Sequence, residues 1–161
     1  MDPRLEAPRR ALVLNTRLVR NCLDGVDDAQ ARRRPNAHTN NIAFLAMHLV
    51  DVRFYLARYL GGSADSPFKA LLDPIRSIDA LHDYPTVDAI LAAWETTEAR
   101  VLERVAATSS AEWDVVCEPK FPIGDATRLD GVTFLVEHES YHIGQMALLR
   151  RFLGLPAMRY A

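Results

Sequence analysis

Four stretches of this chain repeat their apolar residues with the period of an α-helix. None alternates apolar and polar residues over the length of a strand with a hairpin signal beside it. That pattern predicts an all-α fold. The first stretch runs from about Leu5 to Asp24, with Leu5, Leu12, Thr16, Val19 and Leu23 on one stripe and Gly25 to end it. Pro8 falls in its first turn, where proline is tolerated. The second follows cap candidates from Asn36 to Asn40, spaces Phe44, Leu45, His48, Val52, Tyr55 and Tyr59 helically, and stops at Gly61-Gly62. In the third, Thr86 is the cap, Val87, Ile90, Leu91, Trp94, Val101 and Val105 form the inner face, and Ser109-Ser110 marks the end. Thr127-x-x-Asp130 reads as a capping box for the fourth, with Asp130 as the alternative cap, and the pattern continues to Leu153 before Gly154 and Pro156.

The connections complete the expected architecture. Residues 61–85 carry Pro67, Pro74 and Pro85, and offer one short helical turn around Phe68 to Leu72. They are too many for a turn between antiparallel neighbours, but enough to run the length of a bundle. Residues 111–126, with Pro119, Pro122 and Gly124, read as an irregular lead-in that includes a short extended piece at Val115-Val116. At 161 residues, 49% hydrophobic and 25% charged, the chain suits one soluble domain spanning residues 1–161.

Charge and cysteine usage exclude several classes. The 19 basic and 21 acidic residues leave a net charge of −2, and Arg32-Arg33-Arg34 is a single short basic run, so no nucleic-acid partner is expected. Cys22 and Cys117 lack metal-site spacing and read as two reduced, buried thiols. No apolar stretch approaches the ~20 residues of a membrane span. The start, Met1-Asp2-Pro3-Arg4, leads into charge rather than an apolar leader segment, so a cytoplasmic location and no membrane partner are expected.

The fourth stretch contains His138-Glu139-Ser140-Tyr141-His142, which spells the H-E-x-x-H motif of zinc proteases. Residues i and i+4 share a helix face, so His138 and His142 can aim at one point. A protease of that kind needs a third protein ligand, and residues 143–161 contain no His, Asp, Glu or Cys. In the extended form of the motif, Leu148 stands where the last histidine belongs and Gln145 where the glycine does. Glu139, beside Glu137 and Ser140, is expected on the solvated face with no catalytic role.

A third ligand is available upstream. His38 and His82 fall in polar connections and are expected to be exposed, whereas His48 interrupts an apolar face near the middle of its helix. One histidine on such a face is ordinarily a hydrogen-bonded core residue. Three that can converge would leave ring nitrogens without partners, and one divalent ion would satisfy them all. His48, His138 and His142 are therefore the predicted metal ligands, in a site open to water or substrate. Gln145, on the stripe Leu135, His138, His142, Gln145, Leu149 and Phe152, is expected to orient a ligand, and Asp51, one turn after His48, could do the same. Tyr55 and Tyr141 could bring hydroxyls near the site, or could simply pack.

Residues 40–62, "NNIAFLAMHLVDVRFYLARYLGG", and 136–154, "VEHESYHIGQMALLRRFLG", together resemble the DinB/YfiT-like family, the latter through its H-x-x-x-H-x-G-Q motif. The resemblance covers about Leu5 to Gly154. It implies an up-down-down-up four-helix bundle with a long crossover between its second and third helices. It also implies a divalent ion, nickel or zinc, on His48, His138 and His142, and a homodimer. Characterised relatives include metal-dependent transferases and isomerases that use low-molecular-weight thiols such as bacillithiol or mycothiol. The expected function is of that type, acting on small electrophiles. The alternatives are a non-catalytic, metal-stabilised dimeric binding module and a metal-dependent hydrolase.

Overall fold

A computed structural model describes residues 2–116, 118, 121–124 and 126–160, and their regular structure is helical. After a 3-10 turn at Pro3–Leu5 come α1 (Glu6–Leu23), α2 (Asp28–Arg32), α3 (Ile42–Tyr59) and α4 (Lys69–Leu72). A second 3-10 turn at Ile78–Ala80 precedes α5 (Val87–Glu95), α6 (Thr97–Ala107), α7 (Ser110–Trp113) and α8 (Arg128–Phe152). Two isolated bridges, Val116 to Thr127 and Phe121 to Gly124, are the extended pairings among the described residues.

The long helices begin and end where their chemistry dictates. The Thr127 and Asp130 side chains exchange hydrogen bonds with each other's backbone N–H, forming the expected capping box of α8. α3 is capped one residue later than the predicted range: Asn41 accepts from the Phe44 N–H at 2.8 Å and donates to the Arg32 carbonyl and the Tyr84 hydroxyl. The same amide therefore starts the helix and ties it to two loops. Gly25 and Gly61, at φ +67° and +85°, supply the left-handed residue that terminates α1 and α3.

Three local expectations need correction. The predicted third helix breaks at Thr96 into α5 and α6. Its Thr96 and Thr97 hydroxyls donate to the carbonyls three residues back, Ala93 and Trp94, competing with the helical ladder. α2, not anticipated, is started by a capping box between Asp27 and Gln30. Within the supposedly irregular lead-in, α7 is started by another between Ser109 and Glu112. Cys117 lies outside the described residues. Cys22 is a free, buried thiol, pushed up to about 12 by burial.

Packing gives α3 the central place, in contact with α2, α5, α6 and α8, while α1 packs on α5, α6 and α8. Ile42, Leu45, Ala46, Leu49, Val50, Phe54 and Leu56 are buried on several of its faces, as expected for a helix that is apolar almost all round. Of the stripe read from sequence, Leu45 and Val52 are buried, whereas Phe44, His48, Tyr55 and Tyr59 lie on the half-buried side of the helix. α8 departs from expectation in the same sense. Its buried line is Val132, Leu135, Val136, Glu139, Ile143, Met146 and Leu149, and Phe152 is 63% exposed. Among the described residues, no helix is long and apolar enough to cross a membrane.

Candidate metal centre

The two half-buried stripes face one another across α3 and α8. At about 100° per residue, His138 and His142 lie to one side of the buried line of α8, and that side is turned toward His48 on α3. The Nε2 atoms of His48 and His138 are 3.5 Å apart, and those of His138 and His142 are 3.1 Å apart. All three ligand atoms lie within 4.8 Å of one another. A tetrahedral ion with metal–nitrogen bonds of about 2.0–2.1 Å places its nitrogen ligands roughly 3.4 Å apart. The two close spacings match that requirement.

The surroundings prepare the rings to act as ligands. The Gln145 Oε1 atom accepts a hydrogen bond from His142 Nδ1 at 2.8 Å, which puts the proton on Nδ1 and leaves the Nε2 lone pair turned inward. Burial, together with the neighbouring His142 and His138 rings, lowers His48 to about 4. Burial and the His142 ring also lower His138 below the ordinary histidine value. Both rings are thus held neutral, as metal ligation requires. Phe44 stacks on His48 with centroids 6.4 Å apart, and Tyr141 meets His142 edge-on at 5.2 Å. Phe134, 6.2 Å from the His138 ring, completes an aromatic wall.

Two buried side-chain atoms have no hydrogen-bond partner among the described residues: His138 Nδ1 and Asp51 Oδ1. Gln145 is thus bonded to a ring of the cluster, and Asp51 is not. His38 and His82 are exposed, as expected. His38 nevertheless reaches the rim of a groove of about 260 Å³ that Asn40, Leu45, Gln145 and Leu148 also line.

Glu139 overturns the sequence reading. Rather than facing solvent, it is 0% exposed. Arg53, itself 1% exposed, grips both carboxylate oxygens: Nε reaches Oε1 and Nη2 reaches Oε2 at 2.9 Å. Asn15 Nδ2 adds a second donor to Oε2 at 3.2 Å. A carboxylate so engaged is not free to act as a base, so the protease-like reading of H-E-x-x-H fails on geometry as well as on its lack of a downstream third ligand. The signal was present in the spacing: Val132, Leu135, Glu139, Ile143 and Met146 form one helical stripe, and Leu49, Arg53 and Leu56 another.

A family model described as the DinB superfamily matches residues 11–146, most of the chain, and the protein belongs to that superfamily. No curated protein matches it.

Proposed function

With membership of the DinB superfamily as premise, we propose that His48, His138 and His142 hold a divalent metal ion, nickel or zinc, in a catalytic centre of the thiol-transferase or isomerase type. The convergence of three imidazoles, with Nε2 separations of 3.1 and 3.5 Å, carries the reading. An all-imidazole set suits these borderline ions better than calcium or magnesium, which take oxygen ligands. When bound with an open position, such an ion lowers the pKa of a coordinated thiol and supplies a thiolate for attack on an electrophilic carbon.

The chain's own residues do the rest. Gln145 fixes the His142 tautomer and ring orientation. Phe44, Phe134 and Tyr141 wall the ligands with apolar surface, favouring a small substrate with an apolar body. We assign Asp51 no bond to the ligands.

The helix contacts support the up-down-down-up bundle as one domain. His48 meets His138, and Tyr59 bonds to the Arg128 carbonyl, so α3 and α8 run antiparallel. Asn15 meets Val136 while Cys22 meets Arg150, so α1 and α8 run parallel. Arg53 lies over the Trp94 ring and Arg104 donates to the Leu60 carbonyl, so α3 runs parallel to α5 and α6, which favours the segment containing α4 as the crossover. A second copy of the chain is the proposed partner, because Tyr141, Leu148 and Phe152 form an exposed apolar stripe on α8. The location consistent with these readings is cytoplasmic.

Elemental analysis of the purified protein and of His48→Ala tests the centre: about one ion per chain in the first and loss in the second are expected. Retention in the variant would remove His48 from the site. Metal-loaded protein incubated with bacillithiol, mycothiol or glutathione and a model electrophile tests the chemistry. Turnover that disappears in His142→Ala is expected. If no thiol supports turnover while removal of the ion lowers the melting temperature, the protein is a metal-stabilised binding module instead.

A further inference from the structure

Among the described residues there are two apolar clusters. One contains Val19, Leu49, Val50, Phe54, Trp94 and Ile143; the other contains Leu12, Val52, Leu56, Leu135 and Val136. On three helices, polar residues sit between members of the two clusters: Asn15 and Thr16 on α1, Arg53 on α3 and Glu139 on α8. They make a single buried layer. Besides gripping Glu139, Arg53 donates to the Leu12 carbonyl at 2.9 Å and to the Thr16 hydroxyl at 3.3 Å. Its guanidinium lies 4.7 Å from the Trp94 ring centroid, so α5 closes the layer from another side. Asn15 also donates to the Val136 carbonyl and to the Ser140 hydroxyl.

A buried ion pair is a poor way to obtain stability alone. Desolvating both charges offsets most of their attraction, and apolar residues of similar volume often serve as well. What apolar residues lack is direction: they tolerate rotation and sliding of one helix on another. A two-pronged guanidinium–carboxylate contact tolerates neither. Here that contact is made by the residue immediately after His138 and three before His142, and by the residue five after His48. A slip of α8 by one residue would translate it by about 1.5 Å and turn it by about 100°, carrying both of its histidines away from His48.

We propose that the Arg53–Glu139 pair is the positioning device of the three-histidine site: it sets the rotation and axial register of α8 against α3, and thereby the separation of the three Nε2 atoms. These residues touch neither ion nor substrate. The inference rests on the reading of the histidines as a metal centre.

The test uses the full chain, with zinc affinity measured by competition against a chromophoric chelator, the visible spectrum of the cobalt-loaded protein, and the melting curve of the metal-free form. In Arg53→Met/Glu139→Met the charge pair is removed without leaving either member alone. In Arg53→Lys the charge stays but the fork is lost. Both variants are expected to melt cooperatively without metal, to bind zinc at least about 10-fold more weakly than the parent, and to give an altered cobalt spectrum. A folded variant with parental zinc affinity and cobalt spectrum would overturn the positioning role. Should the double variant not fold, Arg53→Lys decides. If the parent binds neither metal, the metal centre itself fails and takes this inference with it. If the parent binds and the variants match it, only the positioning role fails.

Discussion

Two polar clusters share α3 and α8, and they are built on opposite principles. In the middle of the bundle, Arg53 and Glu139 are sealed from water, and both Glu139 oxygens have partners. At the edge, His48, His138 and His142 are half-exposed, turn their Nε2 atoms toward one another and leave His138 Nδ1 without a partner. The first cluster is complete in itself, whereas the second has the donor set for a group the protein does not supply. Adjacent residues on one helix, His138 and Glu139, serve these two ends because about 100° of rotation separates an edge from a centre.

The sharpest way to break this contrast is to unbalance the closed cluster. Glu139→Ala leaves the Arg53 charge buried and unpaired, and should cost about 3–5 kcal/mol in chemical denaturation, a large part of the stability of an ordinary domain. A loss below about 1 kcal/mol would mean that water reaches Arg53 and that the cluster is not closed. Unbalancing the open cluster should spare the fold and remove the ligand: His142→Ala should weaken zinc binding by about 100-fold or more, while the metal-free melting temperature stays within a few degrees of the parent. Equal damage to stability would make the histidines core residues like Arg53.

Smaller effects probe how the edge is prepared. Gln145→Ala removes the bond that orients His142, and should weaken zinc binding by about 10-fold in the same competition assay. Unchanged affinity would leave Gln145 as groove lining only. The mildest change is a slope. His48 titrates at about 4 in the folded protein and near 6.5 when unfolded, so between those values the unfolded chain binds more protons. Metal-free stability should therefore fall as pH is lowered from 6.5 toward 4, with the shortfall absent above that window. Thermal melts across the range should show a shallower slope in His48→Gln, and an identical slope would assign the pH dependence to other groups.

Much of the centre was legible before any fold was known. Three histidines on two helical faces, with Gln145 behind them, follow from spacing of three and four residues, because a helix turns by a fixed angle per residue. Glu139 and Arg53 were harder to read. A charged letter between Glu137 and Ser140 suggests solvent, and its stripe with Leu135 and Ile143 gains meaning only once a cation is known to wait opposite. The Thr96 break was missed for a related reason: threonine hydroxyls can return to the backbone or face water, and the neighbouring chain settles which.

The sequence by itself determined the helical class, the caps at Thr86 and Thr127, the stops at Gly25 and Gly61 and the pairing of His138 with His142. All of these depend on contacts within a few residues. The tertiary structure alone decided which face of α3 is the open one, that His48 meets the other two histidines, and that Glu139 is the centre of α8 rather than its surface. Those outcomes depend on the rotation of one helix against another, and rotation is set by partners such as Arg53, 86 positions away from Glu139 along the chain.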